Sequence, residues 1–116
     1  MIRCTAFTFI GLLPAICIAQ TGTPVTLARA TQYDLTSKIS NQSYRISVST
    51  PFNAQSEIAY PVVYLLDGNQ YFATATDIVT RLSYLKTAGS VAPAIVVGIG
   101  YPTDDPREIL GRRALD

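Results

Sequence analysis

Two short apolar runs with a helix-length segment between them restrict the fold of this 116-residue chain more than any other feature. The runs are Val62–Leu66 and Pro93–Gly100, and residues that favour turns bound each of them. Between them, apolar side chains recur every three or four residues, as on one face of a helix. The members of this stripe are Phe72, Ala75, Ile78, Val79, Leu82 and Leu85. The order predicts a βαβ unit whose parallel strands are buried on both faces. Gly89 is predicted to cap the helix.

A β-hairpin is predicted before this unit. Residues 31–39 alternate between polar and apolar side chains, and Ile39 is the last apolar member. Residues 44–49 alternate in the same way and stop before Pro51, which cannot continue a strand ladder. Residues 41–43 between them match an N-glycosylation sequon, but we interpret them as turn residues. The hairpin is expected to lie at a sheet edge.

The predicted fold class is α/β, in one domain over residues 31–116. Its incomplete sheet consists of the edge hairpin followed by the βαβ unit. Residues 20–30 are small and polar, as in an entry linker.

Residues 1–19 have the pattern of a secretory signal peptide. Arg3 precedes a long uncharged, apolar stretch, and small residues allow cleavage after Ala19. The stretch is shorter than the roughly 20 residues that span a bilayer, so a permanent membrane helix is the less favoured alternative. Cleavage would remove Cys4 and Cys17 and leave a secreted or periplasmic chain without cysteine.

The charge balance and the missing residue types exclude several classes of function. A formal net charge of +1 creates no field that would hold nucleic acid or an anionic membrane. The sequence contains no histidine, so a Ser-His-acid triad would need residues from outside it. There is no Gly-x-Ser-x-Gly elbow, and no acidic run has calcium-loop spacing. Gly98 and Gly100 do not begin a dinucleotide fingerprint, because the third glycine position is Thr103. We therefore expect no metal, cofactor or nucleic-acid partner and, after signal cleavage, no membrane partner.

The turn Asp67-Gly68-Asn69 is the most informative candidate site, because it follows an apolar strand and precedes the helix. Ligands of open α/β sheets bind at the carboxyl ends of the strands. Gly68 allows a sharp turn, and the N–H groups that follow can point at a developing negative oxygen. Gly68 and Asn69 are therefore oxyanion-hole candidates. The alternative, which the spacing by itself favours, is an ordinary Asp-Gly turn.

Three segments resemble the opening half of an esterase family with the α/β-hydrolase fold. They are Tyr60–Asn69, Pro93–Pro102 and the Arg112-Arg113 pair before Asp116. This family includes periplasmic siderophore esterases, which act on enterobactin or salmochelin, and resembles the mycolyltransferase antigens. The resemblance covers roughly residues 31–116 and implies an oxyanion-hole N–H on Asn69 and a mainly structural role for Arg-Arg-x-x-Asp.

The same resemblance implies that catalysis needs residues beyond Asp116. In that family the serine elbow, the acid and the histidine all follow the segment that ends there. We therefore expect the N-terminal portion of a secreted serine esterase, inactive by itself, whose full-length form takes a small-molecule ester. The alternative is a non-catalytic periplasmic binding module derived from half of the hydrolase fold.

An exposed sheet edge is the expected physical consequence. The resemblance places the nucleophile strand beside Val62–Leu66, and without that strand the apolar edge is open to other chains. We therefore expect self-association through this edge and low solubility.

Overall fold

The computed structural model describes residues 22–85 and 89–114 of the chain. Within them, four strands and two helices follow one another along the sequence. They are β1 (Ala30–Thr36), β2 (Ser43–Ser49), β3 (Val62–Leu65), α1 (Gly68–Tyr84), β4 (Ile95–Gly100) and α2 (Pro106–Arg113). The predicted signal peptide and Asp116 lie outside the described residues. A search of the described helices finds none with the length and hydropathy needed to cross a membrane.

The four strands form one mixed sheet in the order β1-β2-β4-β3. β1 and β2 are antiparallel, with Asp34 directly opposite Arg45. β2 is also antiparallel to β4, whereas β3 and β4 are parallel and are connected by α1. The predicted α/β class, the hairpin and the βαβ unit are therefore confirmed.

α1 packs against β4 at positions where β4 has small side chains. Val96, Gly98 and Gly100 alternate along the strand and are all buried. Phe72 lies on Gly98 so closely that a Cβ added to Gly98 would be 3.0 Å from the Cβ and from the ring of Phe72. Gly98 and Gly100 thus allow α1 to pack closely on β4, and we call this pair the glycine seat. This packing explains the two glycines without a nucleotide-binding role.

β3 is exposed, although its apolar run predicts burial on both faces. Val62, Val63 and Tyr64 are all exposed, and Tyr64 retains 70% of its accessible surface. In the described part of the chain, β3 has β4 as its one strand neighbour and forms the edge of the sheet. An apolar run indicates that a strand is suited to burial, but burial also needs elements that cover the strand.

The buried face of α1 is rotated from the predicted stripe. Phe72 and Thr76 are buried, whereas Ile78 and Leu85 are 50% and 48% exposed. The contact line follows Gly68, Phe72 and Thr76, a spacing of four residues that places them on one face. The close approach of Gly68 to β4 fixes this line, so the rest of the predicted stripe is half-buried or exposed.

Two element ends also differ from the prediction. β1 ends at Thr36, because the Ser37 hydroxyl accepts the N–H groups of Ile39 and Ser40 at 3.2 Å and closes the turn there. Ile39 is fully exposed. Gly89 does have a positive φ of 100°, but α1 ends before it with an extended cap residue, Leu85.

Candidate active site

The carboxyl ends of β3 and β4 lie side by side because the two strands are parallel neighbours. A cleft of about 360 Å³ opens at this edge. Its lining includes Tyr44, Leu66, Asp67, Ile99, Tyr101 and Arg113. The predicted turn and the loop after β4 therefore meet where open α/β sheets bind their ligands.

The turn between β3 and α1 depends on Asp67 in the left-handed conformation. Its φ and ψ are 53° and 41°. This conformation costs roughly 1–2 kcal/mol for most residues, and aspartate is one of the types that visit it. The carbonyl of Asp67 accepts the N–H groups of Gln70 at 2.9 Å and Tyr71 at 3.2 Å. The chain thus changes from strand to helix across two residues, Leu66 and Asp67.

Gly68 and Asn69, the two predicted oxyanion-hole residues, are the first two residues of α1. N–H groups in the first turn of a helix have no acceptor within the helix and lie at the positive end of its dipole. Such groups can donate to an anionic oxygen. Gly68 is buried and Asn69 is half-buried, so Asn69 is the more accessible of the two.

The side chain of Asn69 makes three hydrogen bonds to the loop after β4. Its Nδ2 donates to the carbonyl of Tyr101 at 2.9 Å and to that of Thr103 at 2.8 Å. Its Oδ1 accepts the N–H of Tyr101 at 2.7 Å. Gly100 leaves room for this contact, because a Cβ there would collide with Oδ1 and lie 2.9 Å from the backbone N of Asn69. The sequence predicted a role for the backbone N–H of Asn69 but not for this side-chain clamp.

Two sets of ion pairs connect elements around the same edge. Arg113 Nη1 lies 3.3 Å from Asp67 Oδ2 and so connects α2 to the turn. Arg45 on β2 lies 3.1 Å from Asp34 and 3.4 Å from Asp104. The hydrogen bond to Asp34 raises the pKa of Arg45 above its ordinary value, with partial opposition from burial. The predicted turn lies too late in the chain to pair Asp34 with Arg45, and no sequence pattern connects Asp67 with Arg113.

This arrangement can stabilise a negative oxygen at the carboxyl edge of the sheet. The described residues provide N–H donors there, and the sequence holds no histidine that would serve as a base. Within residues 22–85 and 89–114, no three Cys, Asp or Glu side chains group as metal ligands would.

The sequence of this chain is similar to the sequences of siderophore esterases. No protein-family model matches the sequence. Ferri-bacillibactin esterase BesA of Bacillus subtilis is 39% identical over 72 residues, which are 62% of this chain and 25% of that protein. Apo-salmochelin esterase of Escherichia coli is 31% identical over 87 residues, or 75% of this chain and 25% of the relative. The crystal structure of the BES protein from Bacillus cereus superposes with a TM-score of 0.67 at 32% identity, covering 76% of this chain and 34% of that one. The chain thus spans about a quarter of the length of the curated relatives it matches.

Proposed function

This chain belongs to the siderophore esterase-like family of α/β hydrolases, and from that membership we propose that it forms the oxyanion-binding edge of a serine esterase. The reaction is hydrolysis of a carboxylic ester, and the substrate class is a siderophore ester, by analogy with the names of the relatives. The N–H groups of Gly68 and Asn69 are the donors that this chain contributes. The nucleophilic serine, the acid and the histidine come from residues outside these 116.

The proposed role of the turn is to stabilise the charge that develops during ester cleavage. When the serine attacks the ester carbonyl, the carbonyl oxygen becomes an oxyanion, which collapses to an acyl-enzyme that water then hydrolyses. A single preorganised donor to such an oxygen is worth about 2.7–4 kcal/mol. Two N–H groups at one helix terminus suit this role because their direction is fixed before substrate arrives.

One observation carries the proposal: left-handed Asp67 starts a helix directly at the carboxyl end of β3 and presents Gly68 and Asn69 there. Asp67, which precedes that helix, lines the cleft, and the side chain of Asn69 contacts the loop after β4. An ordinary solvent-exposed Asp-Gly turn would not need the glycine seat on β4 or the clamp at Asn69. These features support the proposed oxyanion role over the ordinary turn.

The experiment is a chimera in which the 72 aligned residues of this chain replace their counterpart in the Bacillus subtilis relative. The remainder of that esterase supplies the residues that this chain lacks. We expect ester hydrolysis by the chimera and none by the chain alone, measured with p-nitrophenyl acetate and with a ferric siderophore ester. Turnover by the chain alone at an enzyme's rate would contradict the proposal, as would an inactive but cooperatively folded chimera.

A proline substitution separates the backbone donor from the side chain. N69P removes the N–H of residue 69 in the first helical turn, where proline is tolerated, and N69A keeps it. In the chimera, we expect kcat of N69P to fall about a hundredfold below that of N69A, as loss of one oxyanion donor requires. Equal rates for the two variants would rule out the N–H of Asn69 as a donor.

The non-catalytic binding module is the second candidate and predicts a different result. In that case the chain alone binds a siderophore ester saturably and melts cooperatively as a monomer. The open edge of β3 favours the esterase portion over the module, because an exposed apolar edge pairs with other chains. We further propose that the chain is secreted or periplasmic, as its apolar N-terminal segment indicates.

A further inference from the structure

The geometry points to Asn69 as a positioning residue of the proposed ester-hydrolase site: its side-chain amide fixes the turn that carries the oxyanion N–H against the loop after β4. This inference rests on the proposed function. It adds a role for the side chain, whereas the proposed function uses only the backbone of Asn69.

The amide of Asn69 fits its three partners in one orientation. Both Nδ2 bonds end on carbonyl oxygens, and the Oδ1 bond begins at a backbone N–H, at distances between 2.7 and 2.9 Å. A flipped amide would place its oxygen against the carbonyls of Tyr101 and Thr103. The three bonds therefore fix the side-chain torsions and, through them, the first turn of α1.

The loop that receives the clamp is itself a tight turn. Thr103 donates its N–H to the carbonyl of Tyr101 at 2.8 Å, and Pro102 between them has a fixed φ. Asp105 then caps α2 by accepting the N–H of Arg107 at 2.8 Å. Asn69 thus connects the candidate oxyanion turn to a segment with little freedom to move.

The other side of the turn is held by α2. Arg113, in the last turn of α2, pairs with Asp67 at 3.3 Å. Contacts therefore run from Asn69 through the loop and α2 back to Asp67. An oxyanion donor acts only when it is held within a few tenths of an ångström, and this circuit of contacts supplies that restraint.

The first test measures backbone amide exchange at Tyr101 in the 116-residue chain. In N69A, exchange at Tyr101 should be about five to ten times faster, as loss of one net hydrogen bond requires. The control is Q70A, which changes the next residue of α1 and should leave this rate unchanged. An unchanged rate in N69A would overturn the inference.

The second test uses the pH dependence of N69D. Near neutral pH, its carboxylate can still accept the N–H of Tyr101 but cannot donate to the two carbonyl oxygens it faces, so exchange at Tyr101 should be faster than in the wild type. Toward about pH 4 the protonated carboxyl regains one donor, and protection should return only in N69D. Identical behaviour of N69D and N69A at every pH would contradict a role for the amide donors.

The third test separates positioning from simple stabilisation by measuring kcat and KM in the chimera described above. Loss of the clamp should lower kcat of N69A about tenfold or more and leave KM within about twofold, because misorientation affects the transition state. An unchanged kcat would overturn the positioning role and leave the proposed function intact. An inactive but cooperatively folded wild-type chimera would overturn both.

Discussion

Gly68 and Gly98 pack backbone against backbone where α1 begins on the sheet. A Cβ on Gly68 would lie 2.8 Å from the carbonyl carbon of Gly98 and 2.9 Å from the N of Ile99. These contacts are with main-chain atoms, which cannot rotate away as a side chain would. The start of α1 therefore packs directly on β4, and this contact sets the distance between the candidate oxyanion turn and the sheet.

We expect G68A to destabilise the chain. The added methyl must push α1 away from β4, and overpacking of this kind costs about 1–3 kcal/mol in the free energy of unfolding. The matched control is G111A in α2, where a Cβ meets nothing within 4 Å. Alanine there should stabilise the helix by up to about 1 kcal/mol. Denaturant unfolding of both variants measures the difference, and equal midpoints would contradict the packing argument.

Substitutions of Asp67 should follow its left-handed conformation. D67A should lose about 1–2 kcal/mol of unfolding free energy, because alanine pays the full steric cost of a positive φ. D67N and D67G tolerate this conformation, so they should lose less. R113A reports the cost of losing the ion pair with Asp67, which we expect to be below about 1 kcal/mol because Arg113 is largely exposed. If D67G were less stable than D67A, the left-handed backbone conformation would not be the reason for aspartate at position 67.

A charge on the open edge should reduce self-association. Tyr64 lies on the exposed edge strand β3, and Tyr33 is similarly exposed on the opposite edge strand β1. We expect Y64K to shift the chain from oligomers toward monomer in sedimentation velocity, because a lysine on an edge strand opposes pairing. Y33K places the same charge on the other edge and should have little effect. If Y33K were the more effective variant, β1 rather than β3 would be the pairing edge.

Glu108 should titrate below its ordinary range. A hydrogen bond from Thr103 and, second, the guanidinium of Arg112 lower the pKa of Glu108 from 4.5. A depressed carboxyl pKa stabilises the fold at pH values above the unfolded pKa, and this contribution is lost as the pH falls through the folded pKa. Carboxyl NMR titration should show the low pKa in the wild type. T103V should move it upward more than R112A does, and the reverse order would mean that the ion pair dominates.

Export should produce a chain without thiols. If residues 1–19 are removed after Ala19, the product begins at Gln20 and loses both Cys4 and Cys17. Intact mass should then match that start, and a maleimide reagent should not react. A19R should block processing and leave a thiol-reactive precursor. A mature product that keeps either cysteine would contradict the proposed cleavage site.

Periodicity predicted the kind and order of the secondary-structure elements correctly. The alternation around Tyr33 and Tyr44 gave the hairpin, and the spacing from Phe72 gave α1. The same patterns misjudged burial at Tyr64, Ile78 and Leu85, because periodicity identifies an apolar face and not the element that covers it. Contacts that other elements supply cannot be derived from local sequence.

At the candidate site, the turn was predictable and its support was not. A strand followed by Asp67-Gly68-Asn69 predicts two N–H donors at a sheet edge. The three bonds from the Asn69 side chain depend on β3 and β4 being parallel neighbours, so that their following loops meet. Gly100 indicated that another segment packs on β4, because a glycine inside a strand often marks such a close approach.

The ion pair between Asp67 and Arg113 makes the order of the turn depend on how well the last turn of α2 is formed. Terminal helical turns fray more readily than helix interiors, and fraying there releases the guanidinium. Any residues or ligand that lengthen or cap α2 would therefore restrict the turn at Asp67 without contacting it.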